Sequence, residues 1–172
     1  MSVVACRVLG GGRYEIAADS ITVRHTTQSK GGDVKFSKLA EVNGLVIGGV
    51  GTAEESALLY MYASSRKPVT NTEAGMLEYL GEFSAWKKQK TDDAKITNDF
   101  IIGIDGKVYL ISGWFVVEVL TFQAIGAGMN YALAALHLGH DVKRAVEVAT
   151  ELSIYCEPPV IVIQKGNGSH DS

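Results

Sequence analysis

Three polar features stand out against an apolar chain: Ser2 at the amino end, Asp19 closing the apolar run Ile16-Ala17-Ala18, and Lys35 between Val34 and Phe36. An ionisable group that ends an apolar run either caps a turn through its own backbone or serves chemistry. A strand lysine ordinarily extends to solvent, so Lys35 taken alone has a plain reading too. Gly48, Gly49 and Gly51 follow on an apolar strand and suit either a turn needing unusual backbone angles or a close backbone approach to a ligand. Asp19 to Lys35 is 16 residues and Lys35 to Gly49 is 14.

Other candidates are weaker. His137 and His140 lie three apart at a helix end, but no third ligand has metal-site spacing, so no metal or cofactor is expected. Cys6 sits inside the first apolar run and reads as a small buried hydrophobe. His25 falls in a polar loop and reads as solvated. Trp86 with Lys87, Lys88 and Lys90 reads as a solvated helix face, because 16 basic against 19 acidic residues leave a net charge of −3. That balance argues against nucleic acid or an anionic membrane as partner.

The elements that must position these groups follow from periodicity. β-type runs at Val3–Leu9 and Tyr14–Ala18 flank Gly10-Gly11-Gly12, and Lys38–Val42 and Leu45–Gly49 flank Asn43-Gly44, a favoured two-residue hairpin turn. Thr52-Ala53-Glu54-Glu55 opens a helix that runs to about Lys67 before Pro68, with Ala53, Ala57 and Met61 in register and Leu58 and Met61 facing the core. A second helix starts near Asn71 and fades at Lys87–Lys90. Strands return at Phe100–Ile104, Lys107–Ser112, Trp114–Leu120 and Phe122–Ile125, helices at Asn130–Leu138 and Val142–Leu152, and a last strand at Val160–Ile163. Segregated strand and helix runs imply an α+β domain in which helix pairs cover the outer faces of packed antiparallel sheets. At 172 residues with 47% hydrophobic content the chain makes one domain, residues 1–165, followed by a flexible polar tail, 166–172. No leader-like or membrane-length apolar segment is read, so a cytoplasmic location is expected.

Ala17-Ala18-Asp19-Ser20, Val34-Lys35-Phe36-Ser37-Lys38-Leu39, Val46-Ile47-Gly48-Gly49-Val50-Gly51 and Ile125-Gly126-Ala127-Gly128 occur in an order and spacing that resembles the proteasome β-subunit and HslV-type peptidases. The resemblance implies a four-layer αββα N-terminal-nucleophile (Ntn) hydrolase sandwich. It implies a peptidase whose nucleophile is the first residue of the mature chain, here Ser2 after removal of Met1, with its own α-amine as base. An α-amine of pKa about 7.7–8.0 is partly neutral at cellular pH. Lys35 would disfavour its protonation, Asp19 would pair with Lys35, and the Gly49 N–H would donate to the oxyanion. Apolar Leu45, Val50 and Ala53 would line the substrate pocket and favour apolar residues at the cleaved position. The resemblance further implies homo-oligomeric rings acting on peptides or unfolded proteins, with a possible unfoldase partner. Two departures stand against activity: the family's Gly-Ser-Gly is Gly126-Ala127-Gly128 here, and its downstream Asp-x-x-Ser has no match around Tyr155-Cys156-Glu157. A catalytically silent assembly or binding protein, or a non-peptidase amidohydrolase, are the alternatives.

Overall fold

The computed structural model describes residues 2–24, 27–29 and 36–166. Strands β1 (Val3–Gly10) and β2 (Arg13–Ala18) form the first hairpin, and β3 (Thr22–Arg24) and β4 (Thr27–Ser29) make a small separate ribbon. Next come β5 (Leu39–Val42), β6 (Leu45–Val50), α1 (Ala53–Ala63) and α2 (Glu73–Thr91). The meander β7 (Asp99–Ile104), β8 (Lys107–Ser112), β9 (Phe115–Glu118) leads to β10 (Phe122–Gly126), α3 (Met129–His137), α4 (Val142–Leu152) and β11 (Ile161–Lys165).

One antiparallel sheet has the order β10-β1-β2-β11 and the other β5-β6-β7-β8-β9. The two-residue side-chain period of a strand sorts the core into three layers. On β1, Val3 and Ala5 pack with Ala132, Ala135, Val146 and Ala149 of α3 and α4. Val4 and Cys6 face Leu39, Val46 and Ile101 of the opposite sheet. Leu45, Ile47, Phe100 and Ile102 meet Leu59, Tyr62, Tyr79 and Phe83 of α1 and α2. The architecture is therefore α+β, helices on sheet on sheet on helices. Close approach of the sheets requires Gly48, where a Cβ would lie 2.6 Å from Val4 Cγ1.

Local chemistry fixes the element ends. Asn43 and Gly44 take positive φ, 52° and 78°, as the two-residue turn demands. Thr52, Thr72 and Asp141 cap α1, α2 and α4 by accepting N–H groups of the first turn. Helix α1 stops at Ala63, short of Lys67, where the Ser64 hydroxyl bonds the Met61 carbonyl at 2.6 Å. Its core face is Ser56, Leu59, Tyr62 and Ala63, whereas Met61 is exposed, so the face is rotated from the Ala53, Ala57, Met61 series.

The last meander strand begins at Phe115 because Gly113 turns at φ 58° and leaves Trp114 in the turn. The β3–β4 ribbon was not expected from its polar sequence. Lys87 also departs from the expected solvated face: it is buried, donates to the Lys95 carbonyl at 2.5 Å and lies 3.5 Å from buried Glu55. Glu55 in turn accepts the Thr97 and Asn98 N–H groups, tying α1 to the start of β7. His25, and the tail beyond Gly166, lie outside the described residues. No helix among the described residues is long and apolar enough to cross a membrane.

Candidate active site

Ser2 precedes β1 and is 4% exposed; its carbonyl accepts the Gly128 N–H at 3.2 Å. The next residue is held from the other side. The Val3 N–H donates to Asp19 Oδ1 at 3.0 Å, and the Asp19 N–H donates to the Val3 carbonyl at 3.2 Å. Asp19 is fully buried at the end of β2, so its carboxylate must be satisfied internally. Oδ2 accepts the Ile21 N–H at 3.3 Å and the Glu157 N–H at 3.2 Å.

The cation on this carboxylate is Lys38, whose Nζ donates to Oδ1 at 3.0 Å and to Oδ2 at 3.2 Å. Lys35 lies outside the described residues, so its expected pairing with Asp19 is not described; among the described residues Lys38 occupies that place. Burial pulls the Lys38 ammonium below its ordinary value, and the Asp19 carboxylate opposes that shift.

Gly49 departs from its expected role. Its N–H donates to the Lys38 carbonyl at 3.0 Å, continuing the β5–β6 ladder in which Leu39 faces Gly48. In this conformation that donor is committed to the sheet and does not present itself to an oxyanion.

The expected pocket residues do not form one wall. Val50 reaches the Ser2 region, since a Cβ on Gly126 would lie 3.1 Å from Val50 Cγ1 and 2.3 Å from the Ser2 carbonyl oxygen. Leu45, five residues earlier on β6, points to the opposite face and is fully buried under α1 and α2. Ala53 is exposed at the start of α1. The cavity beside that start, about 320 Å³, is lined by polar groups including Thr52, Glu54, Glu55, Lys87 and Thr97.

Two groups enter the site that the sequence did not announce. Cys156 is 2% exposed, and its Sγ would be 2.7 Å from a Cβ on Gly128, so only glycine fits there. Burial pushes its thiol up to about 11, with Asp19 adding to the shift. The Glu157 backbone, one residue on, holds Asp19 through its N–H and Ser20 through its carbonyl. Ala127 is exposed in the turn between these contacts, where the family resemblance calls for serine. His137 and His140 are exposed at the far end of α3, and among the described residues no group of three or more His, Cys, Asp or Glu could hold a metal.

Two packed antiparallel sheets between helix pairs are the fold of the proteasome β-subunit and HslV-type Ntn hydrolases. Solved structures of that fold superpose on nearly the whole chain. BPH of Thiobacillus denitrificans, solved alone and in complex with epoxomicin, is 21% identical at a TM-score of 0.82, covering 94% of this chain and 97% of its own. HslV of Trypanosoma brucei is 19% identical at 0.68, covering 94% and 98%. Anbu, described as an ancestral β-subunit, from Yersinia bercovieri is 15% identical at 0.68, covering 95% and 81%. At these identities the likeness is one of fold. No protein-family model and no curated protein matches the chain.

Proposed function

We propose that the protein is a proteasome-like N-terminal-nucleophile peptidase that acts through Ser2 once Met1 is removed. The observation that carries this reading is the buried Asp19 carboxylate, which grips the N–H of Val3, the residue after Ser2, while holding a lysine on the same oxygen. A charged pair buried one residue from the chain's amino end has a desolvation cost that fold stability alone gives little reason to retain. Here it orients the terminal residue and sets the electrostatics of its amine.

In the reaction Ser2 Oγ attacks the scissile carbonyl as its proton passes to the Ser2 α-amine. That proton then goes to the leaving amine as the peptide bond breaks, and water hydrolyses the resulting ester. Val50 supplies an apolar wall beside the nucleophile, so apolar residues are favoured at the cleaved position. The substrate class is peptides or unfolded chains, and the working form is a ring of identical subunits fed by an unfoldase.

A catalytically silent scaffold is the second reading, favoured by the commitment of the Gly49 N–H to Lys38 and by the alanine between Gly126 and Gly128. Intact mass combined with a peptide epoxyketone probe separates the two. The peptidase reading expects loss of one Met and a covalent adduct that Ser2→Ala abolishes. Full retention of Met1 in the native host, or an adduct that survives Ser2→Ala, refutes it.

A further inference from the structure

Strand β6 ends at Val50, whose ladder partner is Asp99 at the start of β7, yet the pairing continues one step further through a side chain. Asn98 is 1% exposed and turns its carboxamide onto the segment that follows β6. Its Oδ1 accepts the Thr52 N–H at 2.7 Å, and its Nδ2 donates to the Thr52 carbonyl at 2.8 Å and to Ser56 Oγ at 3.1 Å. A carboxamide offers an acceptor and donors side by side, as a peptide group does, so Asn98 closes on both backbone groups of one residue. Gly51 makes the approach possible: it sits at φ 128°, and a Cβ there would lie 2.1 Å from Asn98 Oδ1. Asn98 is anchored from behind, because buried Glu55 accepts the Thr97 N–H at 3.0 Å and the Asn98 N–H at 3.5 Å.

This clamp is more than α1 needs in order to start. Thr52 already caps that helix with its own hydroxyl, which accepts the Glu55 N–H at 3.3 Å. What the carboxamide adds is a fixed backbone on the far side of Gly51 from Val50, the side chain that stands with the Ser2 carbonyl against Gly126. A glycine is the loosest joint in such a segment, and Asn98 closes it. We infer that Asn98 is a positioning residue for substrate: by pinning Gly51 and Thr52 it fixes where Val50 stands beside Ser2, and so sets how strongly the site selects a bulky apolar side chain at the cleaved position. The inference rests on the peptidase reading for the substrate; the hold of Asn98 on the turn does not. A wall misplaced by the width of one methylene loses about tenfold or more in selection.

The test uses the full chain prepared with Ser2 first, by cleavage of an N-terminal fusion, as wild type, Asn98→Ala, Asn98→Asp and Asn71→Ala. Asn71 is the comparison because it makes a similar clamp at the opposite end of β7 and β8, donating to the Ile104 and Asp105 carbonyls and accepting the Tyr109 hydroxyl. Two peptide epoxyketones, with Leu or Ala at the reacting position, give a selection ratio from their capture rates over a range of probe concentrations. Amide exchange over residues 50–53, followed by mass, reads the turn without any catalysis. Asn98→Ala is expected to speed that exchange by at least about tenfold. It is also expected to cut the Leu-over-Ala ratio about tenfold, through weaker binding of the Leu probe, with the saturated capture rate held within about twofold. Asn98→Asp keeps the acceptor for the Thr52 N–H but not the donors, and falls between. Asn71→Ala lowers stability and moves neither readout.

An unchanged ratio in Asn98→Ala overturns the inference, and so does a ratio that falls equally in Asn71→Ala, since the loss would then be one of general stability. Should Asn98→Ala fail to fold, Asn98→Asp decides on the same two readouts. Wild type that captures neither probe refutes the peptidase reading instead; exchange then decides the clamp alone, fast exchange in Asn98→Ala upholding it and unchanged exchange overturning it.

Discussion

Removing the carboxylate of Asp19 should cost more stability than removing its lysine, and the two losses should not add. Asp19→Asn is nearly isosteric but takes the negative charge from a site where three N–H groups and the Lys38 ammonium converge. It leaves that ammonium buried without a counter-charge, which typically costs about 3–5 kcal/mol. Lys38→Met leaves the carboxylate, but three N–H donors still support it, so the cost is nearer 1–3 kcal/mol. With both changes the buried charges are gone and only one amide–backbone contact set is imperfect, so the double variant should recover about 2 kcal/mol of the summed loss. The assay is equilibrium urea denaturation at one fixed protein concentration. With an m-value of about 2 kcal/mol/M, Asp19→Asn should lower the midpoint by roughly 2 M. Additive losses, or a loss below about 0.5 kcal/mol for Asp19→Asn, would refute the claim that this pair is the electrostatic centre of the amino end.

Two further outcomes follow from the same neighbourhood. Burial raises the Cys156 thiol to about 11 and the Cys6 thiol to about 12, so at pH 8 about one thiol in a thousand or fewer is thiolate. Iodoacetamide should therefore label neither within minutes in the folded protein and both in urea, read by mass, and rapid native labelling of Cys156 would show the site to be open. Gly128→Ala should destabilise the chain by about 1–3 kcal/mol through overlap with Cys156 Sγ and Val3 Cβ, and Cys156→Ala should recover part of that loss in thermal denaturation, because it removes the nearer of the two clashing atoms.

What the sequence conveyed, and what it could not, divides along physical lines. The hairpins around Gly11 and Asn43-Gly44, the helix pairs and the α+β layering were legible because turn chemistry and periodicity act locally. The β3–β4 ribbon was not, since its polar residues carry no alternating apolar signal. The pocket assignment missed a signal that was present: Leu45 and Val50 are five positions apart on one strand, an odd offset, so they must face opposite sides of the sheet. The buried face of α1 was misjudged for a related reason. Nearly every position from Ala57 to Ala63 is apolar or aromatic, so periodicity alone gives no phase, and contact with β6 and α2 selects Leu59 and Tyr62 over Met61.

The candidate site shows where spacing stops being informative. Asp19 was legible because an acid closing an apolar strand has to be satisfied by something. Its expected partner, Lys35, lies outside the described residues, and among those described Lys38 holds the carboxylate. The pairing of β5 with β6 fixes where Lys38 sits. The register that sets Leu39 opposite Gly48 extends the ladder to Lys38 and Gly49, which simultaneously spends the Gly49 N–H and anchors Lys38 beside Asp19. The commitment of the Gly49 N–H and the placement of Lys38 are thus one question about one register. A shift of β5 by one residue would release that N–H and would also move the Lys38 carbonyl from its anchor, so a substrate that needs the Gly49 donor must act on the same strand pair that holds the cation.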